Sequence, residues 1–138
     1  MKISYVPVGN IAELTPSLLP YLRKAQEASG GRCLADDILK MMLNEQLQLL
    51  VVHDGEPICG FFGLEVKKYP RSKMLVIQYC AMETGTLELI QEDMMTMSEE
   101  IAKNAGCVGI EFIGRPGWKQ FAEKYSYSVQ SVMYQKFL

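Results

Sequence analysis

The sequence has few of the residues that build metal sites and catalytic triads. It contains a single histidine, His53, and its four cysteines stand at least 21 positions apart. No two cysteines have the close spacing of a zinc-binding pair. His53 precedes Asp54 and Gly55, a turn pair beside which an exposed histidine is ordinary. The sequence therefore predicts neither a metal site nor a histidine-based triad.

Long apolar runs and an excess of one charge are also missing. No stretch reaches the roughly 18 apolar residues of a membrane-spanning helix. The net charge of −2 offers no basic surface to nucleic acid or to an anionic membrane. The first four residues read as the start of a strand rather than as a signal peptide. We therefore predict no nucleic-acid partner, no membrane association and a cytoplasmic location.

What the sequence does contain is typical of one globular domain. Its 138 residues are 49% hydrophobic and 22% charged. A chain of this length buries about two thirds of its unfolded surface in a single core. We predict one domain that covers residues 1–138.

Hydrophobic periodicity predicts ten elements in this domain. Thr15 and Pro16 are typical of a helix N-cap and first turn, and Pro20 is expected to kink the first helix or to delay its start. The predicted elements are a strand at 2–8, helices at 11–29 and 35–46, strands at 49–52, 58–66 and 74–81, a helix at 86–105, a strand at 108–113, a helix at 116–125 and a strand at 128–137.

The connections between these elements predict a mixed sheet. Strands 49–52 and 58–66 flank a short turn and form an antiparallel hairpin, which strand 74–81 extends into a meander. A full helix then separates strand 74–81 from strand 108–113, so a right-handed parallel crossover joins them. The predicted class is α/β, more closely an α+β domain with a mixed sheet.

The order β-α-α-β-β-β-α-β-α-β resembles the GNAT superfamily, the Gcn5-related N-acetyltransferases, over nearly the whole chain. Residues 52–64 are similar to the hairpin formed by the family's second and third strands, and residues 101–107 to the end of its third helix. Residues 114–118 and 136–138 are similar to short, divergent GNAT-like proteins encoded by bacteriophages. The resemblance implies transfer of an acetyl group from acetyl-CoA to the amine of a small molecule or a protein. The predicted strand 128–137 could pair within the monomer or across a homodimer. A phage origin would place the protein in the host cytoplasm.

The junction at residues 81–87 departs from the family pattern. Active members carry Gln/Arg-x-x-Gly-x-Gly/Ala there, because glycines let backbone amides approach the CoA pyrophosphate at a helix N-terminus. Counting back from Gly106, the equivalent positions hold Thr86, Leu89 and Gln91, so both glycines are missing. Thr84 or Thr86 would alternatively only cap the following helix.

The resemblance still implies a set of cofactor-binding residues. The backbone of strand 74–81 would hold the pantetheine arm, the turn after it would receive phosphate, and an arginine after the next strand would bind an anionic cofactor or else pair with a local carboxylate. These residues are Tyr79, Cys80, Ala81, Thr84, Gly85, Thr86 and Arg115.

The catalytic positions also depart from the pattern. The family's acid position, a tyrosine that protonates the leaving thiolate, holds Ala122 here, so Tyr125 or Tyr127 would have to substitute. The base candidates are Glu65, Gln78 and Glu83, and Glu83 is preferred because it directly follows the fourth strand.

Two functions follow from these departures. One is a divergent acetyl-CoA-dependent acyltransferase with Glu83 and Tyr125 as catalytic residues. The other is a catalytically silent GNAT-fold binding protein, such as a phage virion component or an inhibitor of a host enzyme.

Overall fold

The computed structural model describes all 138 residues, in five strands, four α-helices and two short 3-10 helices. The strands are β1 (Lys2–Val6), β2 (Gln48–His53), β3 (Ile58–Lys68), β4 (Lys73–Met82) and β5 (Gly109–Phe112). The helices are α1 (Ile11–Ala28), α2 (Ala35–Leu43), α3 (Thr86–Asn104) and α4 (Lys119–Lys124), with 3-10 turns at Val8–Asn10 and Pro116–Trp118.

The strands form one sheet in the order β1-β2-β3-β4-β5. Neighbouring strands are antiparallel except for β4 and β5, which are parallel and are connected through α3. The predicted meander, crossover and mixed-sheet class are therefore confirmed. Because β4 and β5 run in the same direction, their C-terminal ends lie at the same edge of the sheet.

The sheet separates two apolar layers. Phe61 on β3 faces the layer of α1 and α2, where it joins Leu18 and Ile38. The next residue, Phe62, faces the layer of α3, where it joins Ile90 and Met94. All six are at most 2% exposed. Successive side chains of a strand point to opposite faces, so one strand supplies both layers.

Helix α1 begins earlier than its prolines suggest. The prediction that Thr15 and Pro16 open the helix is wrong, because it starts at Ile11 and contains both Pro16 and Pro20. The Thr15 hydroxyl instead donates to the Ile11 carbonyl at 3.0 Å. Its apolar face is buried against the sheet, and this packing outweighs the two amide hydrogen bonds that the prolines cannot make.

The predicted last strand, 128–137, is wrong. Residues 128–138 form no helix or strand, and none of their backbone groups makes a hydrogen bond to another backbone group. Alternating side chains favour an extended chain, but a strand also needs a neighbour that satisfies its amides and carbonyls. No strand of this chain supplies that neighbour.

A glycine fixes the distance between β3 and β4 near the end of β4. Gly60 faces Met82, and a Cβ atom at position 60 would lie 2.6 Å from the Ala81 carbonyl oxygen and 2.9 Å from the Met82 Cα atom. Backbone atoms cannot rotate away from such a contact. We expect Gly60→Ala to lower the free energy of unfolding by about 1–3 kcal/mol.

Urea denaturation of the purified protein checks this expectation. Gly9→Ala is the matched control, since a Cβ atom at Gly9 meets nothing within 4 Å. Equal unfolding midpoints for the two variants would contradict the close approach at Gly60.

Candidate functional site

A β-bulge in β4 opens the sheet on the side of β5. The register pairs Gly63 with Tyr79 and Leu64 with Ile77, so Gln78 has no partner on β3. Pairing with β5 stops at Ile77, opposite Phe112. From Gln78 to Met82, the β4 edge that faces β5 therefore has no strand beside it. A bulge increases the local twist and re-aims the residues that follow, which accounts for this divergence.

The predicted pantetheine-binding residues Tyr79, Cys80 and Ala81 all lie on this open part of β4. Their side chains are taken up by packing: Tyr79 lies against the α1 and α2 layer, and Cys80 against the α3 layer. Burial raises the pKa of the Tyr79 phenol to about 12, with a contribution from the nearby Cys33, and burial raises the pKa of the Cys80 thiol to about 11. Both groups are neutral at physiological pH, so what this edge offers a ligand is backbone amides and carbonyls.

The turn between β4 and α3 places a helix N-terminus at the end of this open edge. The N-cap residue is Gly85, with a positive φ of 83°, and no side chain caps the helix. The prediction that Thr84 or Thr86 caps α3 is therefore wrong. Thr84 is exposed, whereas Thr86 is 4% exposed and its amide donates to the Glu83 carbonyl. The first-turn amides after Thr86 have no acceptor in the protein, which is the arrangement that binds anions.

The residues that stand in place of the family's glycines do not block this N-terminus. Leu89, at a position where the family pattern has glycine, is 70% exposed and does not fold back over the turn. A Cβ atom at Gly85 would meet nothing within 4 Å, so there is free space next to the one glycine that the junction keeps.

Glu83 is held in place by its backbone and its side chain. Its amide donates to the Cys59 carbonyl at 2.9 Å. Its carboxylate oxygen Oε1 lies 3.0 Å from the Tyr21 hydroxyl, which also lies 2.9 Å from the Ile58 carbonyl oxygen. Burial, and then the neighbouring Glu83, raise the pKa of Tyr21 to about 12. Tyr21 is therefore protonated at neutral pH, and its hydroxyl donates a hydrogen bond to Glu83. The Glu83 residue is exposed to solvent.

Tyr21 is the site residue that the sequence did not reveal. It lies on the buried face of α1 and is 7% exposed, so the periodicity makes it one more core residue. The available signal was its hydroxyl, because a buried tyrosine needs a hydrogen-bond partner and this helix offers none.

The other two base candidates are paired with each other. The Gln78 amide nitrogen donates to Glu65 Oε2 at 2.7 Å across β3 and β4. Neither contacts Glu83 through a hydrogen bond.

Arg115 follows β5 at the same edge of the sheet as the Glu83–Thr86 turn. It is exposed, and its guanidinium makes no salt bridge or hydrogen bond with the protein. The alternative in which Arg115 pairs with a local carboxylate is therefore wrong, and the cation is available to an anion from outside.

Tyr125 lies in a different environment from Glu83. It follows α4, packs beside Phe121, and lines an open cavity of about 390 Å³ with residues of α3 and the start of β5. Its hydroxyl is buried and has no hydrogen-bond partner. The hydroxyl of Tyr127, the second candidate acid, donates to the Met95 sulfur at 3.4 Å. No hydrogen bond links either tyrosine to Glu83.

Two further findings concern metals and membranes. No group of three or more histidine, cysteine, aspartate or glutamate side chains is arranged to hold a metal ion. None of the helices combines the length and apolar character that crossing a membrane requires.

Solved structures share this arrangement of strands and helices. A probable acetyltransferase matches with a TM-score of 0.73 and 13% identity, over 100% of this chain and 97% of its own. An aminoglycoside acetyltransferase from an uncultured soil metagenomic sample, in complex with sisomicin, matches with a TM-score of 0.74 and 13% identity, over 99% and 95%. This chain has the GNAT fold.

A third GNAT-fold structure extends the comparison. A ribosomal-protein-alanine N-acetyltransferase from Brucella melitensis biovar Abortus 2308 matches with a TM-score of 0.69 and 12% identity, over all of both chains. No family model and no curated protein matches the sequence. The predicted GNAT fold is confirmed, and at these identities the likeness concerns the fold alone.

Proposed function

We propose that this protein is an N-acetyltransferase that moves an acetyl group from acetyl-CoA to an amine. The observation that carries the proposal is the open edge of β4. It begins at the Gln78 bulge and leads to an uncapped helix N-terminus at Gly85. An unpaired strand edge can bind the amide-containing pantetheine arm, and a free helix N-terminus can bind phosphate.

The residues present fit acetyl-CoA in chemical type. Backbone groups of Tyr79, Cys80 and Ala81 would pair with the arm, and the Thr84–Thr86 turn would receive phosphate. Arg115 adds an unpaired cation at the same edge of the sheet. Acetyl-CoA would supply the activated thioester, and the chain would supply binding and orientation.

Glu83 is the proposed general base. The neutral amine forms a bond from its nitrogen to the acetyl carbon, the bond from that carbon to sulfur breaks, and a proton must leave the nitrogen. The Glu83 carboxylate is exposed at the end of the open edge and would accept this proton directly or through one water. Tyr21 positions it through the 3.0 Å hydrogen bond.

The leaving thiolate needs a proton as well. The predicted donor, Tyr125, has its hydroxyl buried among residues of α3 and the start of β5, at the opposite end of β4 from the open edge, so solvent water would protonate the thiolate. Alignment of the amine and the thioester provides most of the rate in a reaction of this kind, so the reaction does not depend on one acid alone.

The fold neighbours suggest two acceptor classes to try. One is an aminoglycoside acetyltransferase and another a ribosomal-protein-alanine N-acetyltransferase. We propose a primary amine as the acceptor and would assay an aminoglycoside and a peptide with N-terminal alanine. Phage origin and cytoplasmic location remain predictions from the sequence.

Binding of acetyl-CoA is the direct test. At 100 times its dissociation constant, acetyl-CoA should add about 2.7 kcal/mol to the free energy of unfolding. A thermal shift assay would record a rise of several degrees for a domain of this size. ATP is the comparison ligand, since it carries phosphates without a pantetheine arm. No shift at millimolar acetyl-CoA would contradict the proposal and favour the binding-protein alternative.

Arg115→Ala identifies where the phosphates bind. We expect the dissociation constant of acetyl-CoA to rise about threefold to tenfold, because an exposed charge-assisted contact is lost. Arg71→Ala is the matched control, an equally exposed arginine in the β3–β4 turn at the opposite end of β4. Titration calorimetry measures both, and equal affinities would place the phosphates elsewhere.

A further inference from the structure

The last eleven residues have the composition of a strand and no strand partner. All of residues 128–138 are exposed, including Val132 at 65%, Tyr134 at 90% and Phe137 at 78%. They make no backbone hydrogen bond to the rest of the chain. We call residues 128–138 the tail. A disordered segment is poor in apolar residues, whereas six of these eleven are large and apolar.

The edge strand β5 also lacks a partner, on one of its two sides. It pairs only with β4, so its outer edge has no partner. The residues on either side of it, Val108 and Ile113, are 75% and 86% exposed. Exposed strand edges with apolar flanks recruit another strand, and natural proteins cover them.

The tail starts beside β5 but does not pair with it. Tyr127 packs edge-on against Phe112, with ring centroids 5.0 Å apart. Further along, Arg32 in the α1–α2 loop donates to the Gln135 side-chain oxygen at 2.7 Å. The tail of one chain therefore extends from the α3 layer towards the α1–α2 loop, and its amides remain unpaired on the way.

We propose that the tail of one copy pairs with the free edge of β5, residues 108–113, in a second copy, and that the exchange is reciprocal. Each copy carries one unpaired strand and one unpaired edge, so a two-fold dimer satisfies both at once. The tail has one charged side chain, Lys136, and the edge has one of opposite sign, Glu111, whose carboxylate also accepts a hydrogen bond from the Tyr69 hydroxyl.

The size of this interface sets the affinity range. Tail and edge contribute about 17 residues per copy, below the roughly 20–30 residues per side of a standard stable interface. The dimer should therefore dissociate on dilution. Sedimentation velocity between about 1 and 300 µM should show the mass rise from one chain to two, since Kd values of weak interfaces fall in this range.

Val132→Pro tests the pairing itself. Proline removes a ladder hydrogen bond and cannot sit inside a paired strand. Because the tail has no backbone hydrogen bonds within its own chain, the variant should keep the wild-type melting temperature of the dilute monomer and remain monomeric at about 300 µM. Val132→Thr is the matched control, which keeps the amide and the β-branched shape, and it should dimerise like the wild type.

A charge exchange tests whether Lys136 of the tail lies near Glu111 of the second copy. Lys136→Glu should weaken dimerisation about threefold to tenfold through repulsion from Glu111, and the double variant Glu111→Lys, Lys136→Glu should recover the wild-type dissociation constant. In the wild type, the amides of residues 109–113 that point away from β4 should exchange more slowly as concentration rises.

Three results would overturn the proposal. A wild type that stays monomeric at the highest concentration has no such dimer. A dimer that survives both Val132→Pro and removal of residues 128–138 uses another surface. Slow exchange, in the dilute monomer, of the amides of residues 109–113 that point away from β4 would mean that the tail covers the edge of its own chain. None of these results bears on acetyl-CoA binding, so this proposal fails or stands separately from the proposed function.

Discussion

Replacing Glu83 by glutamine is expected to lower kcat/KM for acetyl transfer by about 10²- to 10⁴-fold, the contribution of a general base. Glutamine has the same shape and keeps an oxygen for the Tyr21 hydroxyl, but it cannot accept a proton from the amine. The affinity for acetyl-CoA and the melting temperature should stay at wild-type values. The rate is measured as release of free CoA thiol with the acceptor amine that gives the highest turnover.

Glu100→Gln serves as the control for this experiment. Glu100 is an exposed glutamate of α3 that makes no hydrogen bond or salt bridge, and it is far along the helix from Gly85. It should retain full activity. If Glu83→Gln remains active, the general base is another group, and Glu65 is the next candidate.

The second large effect concerns Phe121. This ring is 6% exposed and has centroids within 6.2 Å of the rings of Phe112, Trp118, Tyr125 and Tyr127. We expect Phe121→Ala to lower the free energy of unfolding by about 3–5 kcal/mol, through lost burial and the cavity left behind. For a chain of this length the melting temperature should fall by roughly 10–20 °C. Calorimetry measures it directly.

The loss of stability on replacing Phe121 should include the whole of α4, because this helix has only six residues. A helix this short is not stable alone and depends on its packing. Phe137→Ala is the matched control, since that ring is 78% exposed in the tail and should change stability by less than about 0.5 kcal/mol at low protein concentration. A comparable loss of unfolding free energy in both variants would contradict the conclusion that packing of Phe121 against its neighbouring rings holds α4 in place.

Sequence periodicity was sufficient for the elements whose partners are close in sequence. The bounds of β3, β4 and α3 agree with the predicted ranges to within two residues. The range of α1 was predicted correctly, but its N-cap was wrongly placed at Thr15, because Pro16 argues locally against a helix interior, while burial of Leu18, Leu22 and Ala25 argues for it across the whole fold. The last strand was wrongly predicted for the opposite reason. Its local pattern is favourable, but it pairs with no strand of its own chain.

The site was predictable in position but not in detail. The junction after β4 was recognised from the change of periodicity and from its single glycine. The bulge at Gln78 leaves no sequence signature, because it arises from the register between β3 and β4. The contact between Tyr21 and Glu83 joins residues 62 positions apart and depends on how α1 crosses the sheet. Propensity and spacing carry no information of that kind.

The two acceptors around Tyr21 allow its hydroxyl to serve both protonation states of the carboxylate. The hydroxyl has one hydrogen and lies within 3.0 Å of both Glu83 Oε1 and the Ile58 carbonyl oxygen. While Glu83 is ionised, the hydrogen points to the carboxylate. Once Glu83 has taken a proton, it can donate to the tyrosine oxygen, and the hydroxyl rotates to the Ile58 carbonyl. The carboxyl group can thus gain and lose a proton with only a rotation of the Tyr21 hydroxyl, which keeps its hydrogen bond to Glu83 in both states.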